Sequence, residues 1–170
     1  VHYGADAIIG WGNLTNNQSN VIRLNGTGGL KHYFFNNDLD VNTGSLVGKW
    51  THVVLTFDGT TRTFYINGVV PSSGSNTPTG VNVQGQNLRI GSRPDNGEYF
   101  NGQIADVRIY DTALTANQVS DIFNETKIWH LAKNVVKSSL VFKTNDSNKN
   151  QERLKIDNNV ESTGDISIVE

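Results

Sequence analysis

The chain has 170 residues, with no Cys, no Met, 3 Pro, 17 Gly and 22 Asn, a length that suits one domain or one domain plus a short appendage. A domain of that size buries roughly 70% of its unfolded surface, and the absence of Cys removes disulfides, thiolate catalysis and Cys-ligated zinc. A net charge of −2 with 14 scattered Lys and Arg argues against nucleic acid as a partner, and no apolar run approaches the roughly 18 residues that a membrane insertion needs.

Abundant Asn, Gly, Ser and Thr predict many short strands joined by polar turns. Residues 6–11 (DAIIGW) and 20–24 (NVIRL) read as strands around a polar loop, and 30–35 (LKHYFF) as an aromatic strand ending in the turn cluster Asn36, Asn37 and Asp38. Residues 49–57 alternate, with Trp50, His52, Val54 and Thr56 on one face and Val53, Leu55 and Phe57 on the other, which predicts a central strand because both faces are apolar. Asp58-Gly59 and Asn67-Gly68 flank residues 62–66 and predict an antiparallel meander. After the loop at 71–80, strands are expected near 81–83, at 87–91 and at 102–110, the last again alternating. Thr115 to Gln118 fits a capping box, and Val119, Ile122 and Phe123 follow at helical spacing, so one short helix is predicted from Thr115 to about Glu125.

Beyond Thr126 the character changes. Residues 1–127 carry 8 basic and 10 acidic residues, residues 128–170 carry 6 of each, and short strands are expected at 138–144, 152–157 and 164–169. The predicted organisation is therefore a β-sandwich over 1–127, a linker over 128–137 and a β-rich stalk over 138–170.

The runs GKWTHVVLTFDGTTRTFYINGV, LRIGS and EYFNGQIADVRIYDTALTANQVSDIF resemble the laminin G-like, concanavalin A-like lectin jelly-roll family over residues 6–125. The resemblance implies an all-β antiparallel sandwich with one short helix, and a fold that hosts many functions. Few residues precede the IIGWGN strand, so the fold's first strand is expected to be supplied elsewhere or removed; with no Met, the chain is also expected to be a piece of something longer. The tail LVFKTNDSNKNQERLKIDNNVESTGDISI is similar to short-strand units of phage and viral tail fibres. It implies a homo-oligomer, a trimer through the C-terminal segment, because one copy is too short to bury a core.

Retaining glycosidases on a jelly roll need two carboxylates about 5–5.5 Å apart, which on a strand means positions i and i+2. None of the five Glu has an acid two residues away, and the one such pair, Asp38 and Asp40, lies in a turn-rich stretch, so no enzyme activity is expected. Asn36, Asp38 and Asp40 read first as solvated loop groups and second as oxygen ligands for calcium. Asp106 is expected to pair with Arg108. The four His lack the spacing of a zinc site, and the five Asn-x-Ser/Thr sites are close to what this composition gives by chance.

Sugar binding needs exposed aromatic faces beside a few placed polar groups. The candidates are Trp11, Tyr33, Tyr99 and Phe100 with Arg93, Asp95 and Asn96, the segment 92–101 being the best single stretch; alternatively Tyr99 and Phe100 open a strand and pack inward. The expected function is a non-enzymatic recognition module of a viral or phage fibre on the virion surface, binding a cell-surface glycan. The alternatives are a virion decoration domain that binds other virion proteins, and an extracellular bacterial adhesin domain.

Overall fold

Alternation of apolar and polar residues builds the sheets. In the computed structural model, which describes residues 5–26, 29–85, 88–132, 140–146 and 149–156 and their side chains as far as residue 127, β1 (Ala7–Gly12), β2 (Ser19–Leu24), β3 (Leu30–Tyr33), β4 (Asp38–Val41) and β8 (Arg89–Ile90) form one sheet in the order β4-β3-β2-β1-β8. A second sheet takes β5 (Val53–Phe57), β6 (Arg62–Ile66) and β7 (Ser75–Asn76) in chain order. All the ladders of both sheets are antiparallel. The inner faces meet in a core of Leu30, Leu39, Val41 and Phe64, joined by Ile8, Ile22, Leu24, Val53, Leu55 and Ile66. The result is an antiparallel sandwich with one helix, as the jelly-roll resemblance implied.

The two hairpin signals act as expected. Asp58 Oδ1 accepts from the amides of Thr60 (2.8 Å) and Thr61 (2.7 Å), bonds that hold its carboxyl below the usual range. Asn67 and Gly68 both take left-handed φ, 51° and 80°, the conformation a tight two-residue hairpin requires. A Cβ on Gly68 would stand 3.1 Å from the Phe123 ring, so glycine there serves both the turn and the docking of the helix.

That helix, α1 (Ala116–Ala132), begins with the expected capping box: Thr115 Oγ1 accepts from the Gln118 amide at 3.3 Å, and Gln118 Oε1 accepts from the Thr115 amide at 2.8 Å. Val119 is fully buried. With no Gly or Pro in its path, the helix runs on to Ala132 through part of the expected linker. Contacts divide the chain into one unit at Val1–Glu125 and another at Thr126–Glu170. In the second, β9 (Leu140–Asp146) and β10 (Lys149–Ile156) form an antiparallel hairpin; the strand expected at 164–169 lies outside the described residues.

Four strand expectations differ from the structure. β5 pairs with β6 alone and is an edge strand rather than a central one. Residues 38–41, read as part of a turn, form β4, with Leu39 and Val41 buried between exposed Asp38 and Asp40. Residues 81–83 form no strand. Residues 102–110 also form none and expose Val107, Ile109 and Tyr110; they pair with no neighbouring strand, and Asp106 among them adopts φ 53°, outside the extended region. Asp106 does grip Arg108 as expected, with Nε at 2.8 Å and Nη2 at 3.0 Å.

Candidate functional site

The outer face of the five-stranded sheet carries a small apolar patch, Ala7, Val21 and Tyr33, edged by Leu14 and Phe35. Over it folds the loop that follows β8. Gly10 makes room for that approach, since a Cβ there would lie 2.8 Å from Val21 Cγ2 and 3.3 Å from Pro94 Cδ. The loop closes on itself through Arg93 N–H donating to the Gly97 carbonyl (2.9 Å), and it is tied to the sheet by Ala7 N–H donating to the Glu98 carbonyl (2.8 Å).

Between loop and sheet lies a cleft of about 150 Å³ lined by Arg23, Tyr33, Phe35, Asn36, Asp38, Arg93 and Glu98. Three of these sit on paired strands: Tyr33 registers with Val21 on β2 and Asp38 on β4, while Arg23 lies two residues beyond Val21 on the same face. Phe35 and Asn36 come from the β3–β4 turn with φ of 64° and 56°, and Glu98 has φ 50°. Left-handed conformations of non-glycine residues are costly and concentrate where a fold shapes a site.

Charge organises the cleft. Glu98 Oε1 accepts from Arg23 Nη1 at 2.9 Å and Arg93 Nη1 at 2.8 Å, and Arg93 also forks onto Asp95 at 2.8 and 2.7 Å. The Asp95 contact raises the already high Arg93 pKa, and Arg93 in turn lowers that of Asp95. The Arg23 guanidinium stands 5.2 Å from the Tyr33 ring centroid. Burial, and then the nearby Glu98 charge, push the Tyr33 phenol up to about 12 against the opposing pull of Arg93 and Arg23. Glu98 Oε2 and Arg23 Nε are buried without a hydrogen-bond partner, and the buried Tyr33 Oη has only Arg93 beside it.

Beneath the cleft the core is polar. Arg62 is fully buried; its Nη1 donates to the Asn37 carbonyl (2.8 Å) and to His32 Nδ1 (3.0 Å), and its Nε donates to Asn76 Oδ1 (2.6 Å). Arginine can only donate, so His32 Nδ1 must accept. The ring proton then sits on Nε2, which donates to Asn20 Oδ1 at 2.8 Å. Burial and the Arg62 charge hold His32 well below the ordinary histidine range. Through the Asn37 carbonyl, this network fixes the turn that carries Phe35 and Asn36 into the cleft.

Of the expected sugar-binding residues, the structure brings Tyr33 and Arg93 into the cleft and sets Asp95 and Asn96 in the turn that frames it. Trp11 registers with Asn20, on the core-facing side, and stays apart. Tyr99 is 66% exposed beside Ala7, and neither Tyr99 nor Phe100 opens a strand or lines the cleft. Asn36 and Asp38 belong to the cleft, while Asp40 lies outside it. Asp38 and Asp40 share one cation, Lys31 Nζ, 3.1 Å from each; burial works against the Lys31 charge, but these carboxylates outweigh it and raise its pKa. Among the described residues no group of three His, Asp or Glu is arranged to hold a metal ion. Arg23 and Glu98 were not singled out from the sequence: they are 75 residues apart, and no local pattern joins them.

A family model described as the concanavalin A-like lectin/glucanases superfamily matches residues 2–120. The adhesion G-protein coupled receptor V1 of Danio rerio is 30% identical over 78 residues, which is 45% of this chain and 1% of the receptor. The crystal structure of an S-layer domain-containing protein (residues 221–444) from Clostridium thermocellum is 26% identical, with a TM-score of 0.35, over 71% of this chain and 64% of that one. The chain thus spans less than two thirds of either protein.

Proposed function

Because the chain belongs to the concanavalin A-like lectin/glucanases superfamily, we propose that it is a non-enzymatic recognition module that binds carbohydrate at an extracellular surface through the Arg23–Tyr33–Glu98 cleft. The observation that carries this reading is the cleft's make-up: two aromatic side chains and a few fixed polar groups around a hollow on an outer sheet face, the mixture small polar-apolar ligands require.

Catalysis is disfavoured at the one pair of acids with suitable spacing. Asp38 and Asp40 do share a strand face, but the Lys31 ammonium stands between them, where a glycosidase needs substrate oxygen and a proton donor. The extracellular setting is supported by the adhesion receptor among the relatives. The fibre-like cadence of the tail supports display on a viral or phage appendage, with the segment 138–170 joining three copies. A two-stranded hairpin such as β9–β10 is marginal alone, which agrees with a need for neighbours.

Binding of the intact chain to a panel of immobilised glycans tests the reading; retention by at least one glycan is expected, and no binding at millimolar concentration overturns it. Sedimentation of residues 1–170 against 1–127 tests the trimer, which equal monomers would refute. A second reading, docking of another protein, is favoured by exposed Val107, Ile109 and Tyr110, and substituting these three with Ser would then abolish particle or cell attachment while leaving glycan binding intact.

A further inference from the structure

Glu98 directs one carboxylate oxygen at two cations, Arg23 and Arg93. Its other oxygen, Oε2, has no partner, nor has Arg23 Nε, although both atoms are buried, and the equally buried Tyr33 Oη has only the Arg93 guanidinium beside it. Buried polar atoms are nearly always paired, and exceptions gathered at one place call for a water or a ligand. Here the three side chains line a single cleft.

The unpaired atoms specify what would fit. Glu98 Oε2 can only accept, Arg23 Nε–H can only donate, and the Tyr33 hydroxyl can do either. Two adjacent neutral hydroxyls satisfy the set, because each both donates and accepts. A carboxylate or sulfate brings acceptors alone and sets negative charge against Glu98. An ammonium group brings donors alone and meets Arg23 N–H. The cationic charge is already matched, Arg93 being forked onto Asp95 and shared with Glu98, so no surplus remains to hold an anion. Phe35, tilted at 64° to Tyr33 with ring centroids 6.4 Å apart, supplies apolar surface for the C–H face of a ring.

Taking the carbohydrate reading above as the premise, we infer that the cleft holds one neutral pyranose by two adjacent hydroxyls, read by Arg23 Nε, Tyr33 Oη and Glu98 Oε2, and discriminates against acidic sugars. Arg93, with its side chain 27% exposed, stands at the rim, held there by Asp95. Each hydroxyl is then matched by a fixed partner. A sugar lacking one of the pair leaves a protein group buried and unpaired, the situation in which polar sites discriminate most strongly.

The test uses the 170-residue chain on immobilised glycans ending in neutral hexoses and on the same glycans capped with sialic acid or sulfate, with Tyr33→Phe and Glu98→Gln as variants. Neutral termini are expected to bind and capped ones to fail. Tyr33→Phe removes an oxygen whose neighbour Arg93 keeps its own bonds to Asp95 and Glu98, so it is expected to keep its thermal unfolding temperature while losing about tenfold in affinity, one hydrogen bond's worth. Glu98→Gln is expected to weaken binding at least as much. Neutral glycans bound equally by wild type and Tyr33→Phe, or preference for capped glycans, would overturn the inference while leaving carbohydrate recognition standing. Absence of binding to every glycan would overturn the premise and the inference with it.

Discussion

Acid should unfold the sandwich through His32. The ring is buried with Nδ1 facing Arg62 Nη1 at 3.0 Å, so protonation would set one N–H against another and add a second positive charge in the core. The folded state therefore keeps His32 neutral well below its ordinary range, whereas the unfolded chain binds the proton with a pKa near 6.5. Below that pH the unfolded state holds more protons than the folded one, so stability present above about 6.5 is lost as pH falls. A ring that stays neutral when folded loses about 1.4 kcal/mol by pH 5.5 and about 2.7 kcal/mol by pH 4.5. Other groups titrate over the same range, so the measurement needs a reference. In His32→Gln the side-chain oxygen can accept from Arg62 and the amide can donate to Asn20, with no ionisable group. Urea unfolding followed by tryptophan fluorescence at pH 7.5, 5.5 and 4.5 should show wild type losing that much more than the variant. Equal losses by the two proteins between pH 7.5 and 5.5 would refute a neutral, Arg62-opposed His32.

Arg62→Ala is expected to cost about 3–5 kcal/mol in urea unfolding, since it empties a buried site and leaves His32 Nδ1, the Asn37 carbonyl and Asn76 Oδ1 unpaired. Glycan affinity should fall with it, because Asn37 belongs to the turn that carries Phe35; a loss under 1 kcal/mol would refute the network's role. Gly68→Ala is expected to lower stability by roughly 1–3 kcal/mol, as the new methyl meets both a φ of 80° and the Phe123 ring, and an unchanged unfolding midpoint would refute that docking. Thr115→Ala removes the helix cap and is expected to cost about 1 kcal/mol, read as lost helical signal by circular dichroism on heating; Thr115→Ser should restore most of it.

What could be read in the sequence follows the range of the forces involved. Asp58-Gly59 and Asn67-Gly68 act within four residues, and both produced the hairpins expected of them. The Thr115–Gln118 cap is equally local. β4 carries a legible alternation, Leu39 and Val41 between Asp38 and Asp40, but the Asn-Asn-Asp run before it reads as a turn; the turn is there and simply ends sooner. Residues 102–110 show the converse. A strand needs a partner as well as a pattern, and the local grip of Asp106 on Arg108 accompanies a left-handed residue in mid-segment. The site was half legible: Tyr33 and Arg93 stand out by type and place, while Arg23 and Glu98 acquire meaning only when β2 and the loop after β8 are brought together.

The same contrast explains how the cleft can hold polar groups without partners. Each rim element is anchored by bonds that do not involve the unpaired atoms: Asp95 holds Arg93, the Ala7 amide holds the Glu98 backbone, and Arg62 holds the β3–β4 turn from the core side. Lys31, bridging Asp38 and Asp40 across β3 and β4, braces the strand pair on which Tyr33 and Asp38 sit opposite one another. With its walls fixed from behind, the cleft does not need Tyr33 Oη, Arg23 Nε or Glu98 Oε2 to hold its shape. Those atoms stay oriented, the preorganisation that would make binding of the proposed hydroxylated ligand cheap in entropy. Their desolvation is a standing cost to the folded chain, and a ligand that pairs them recovers it.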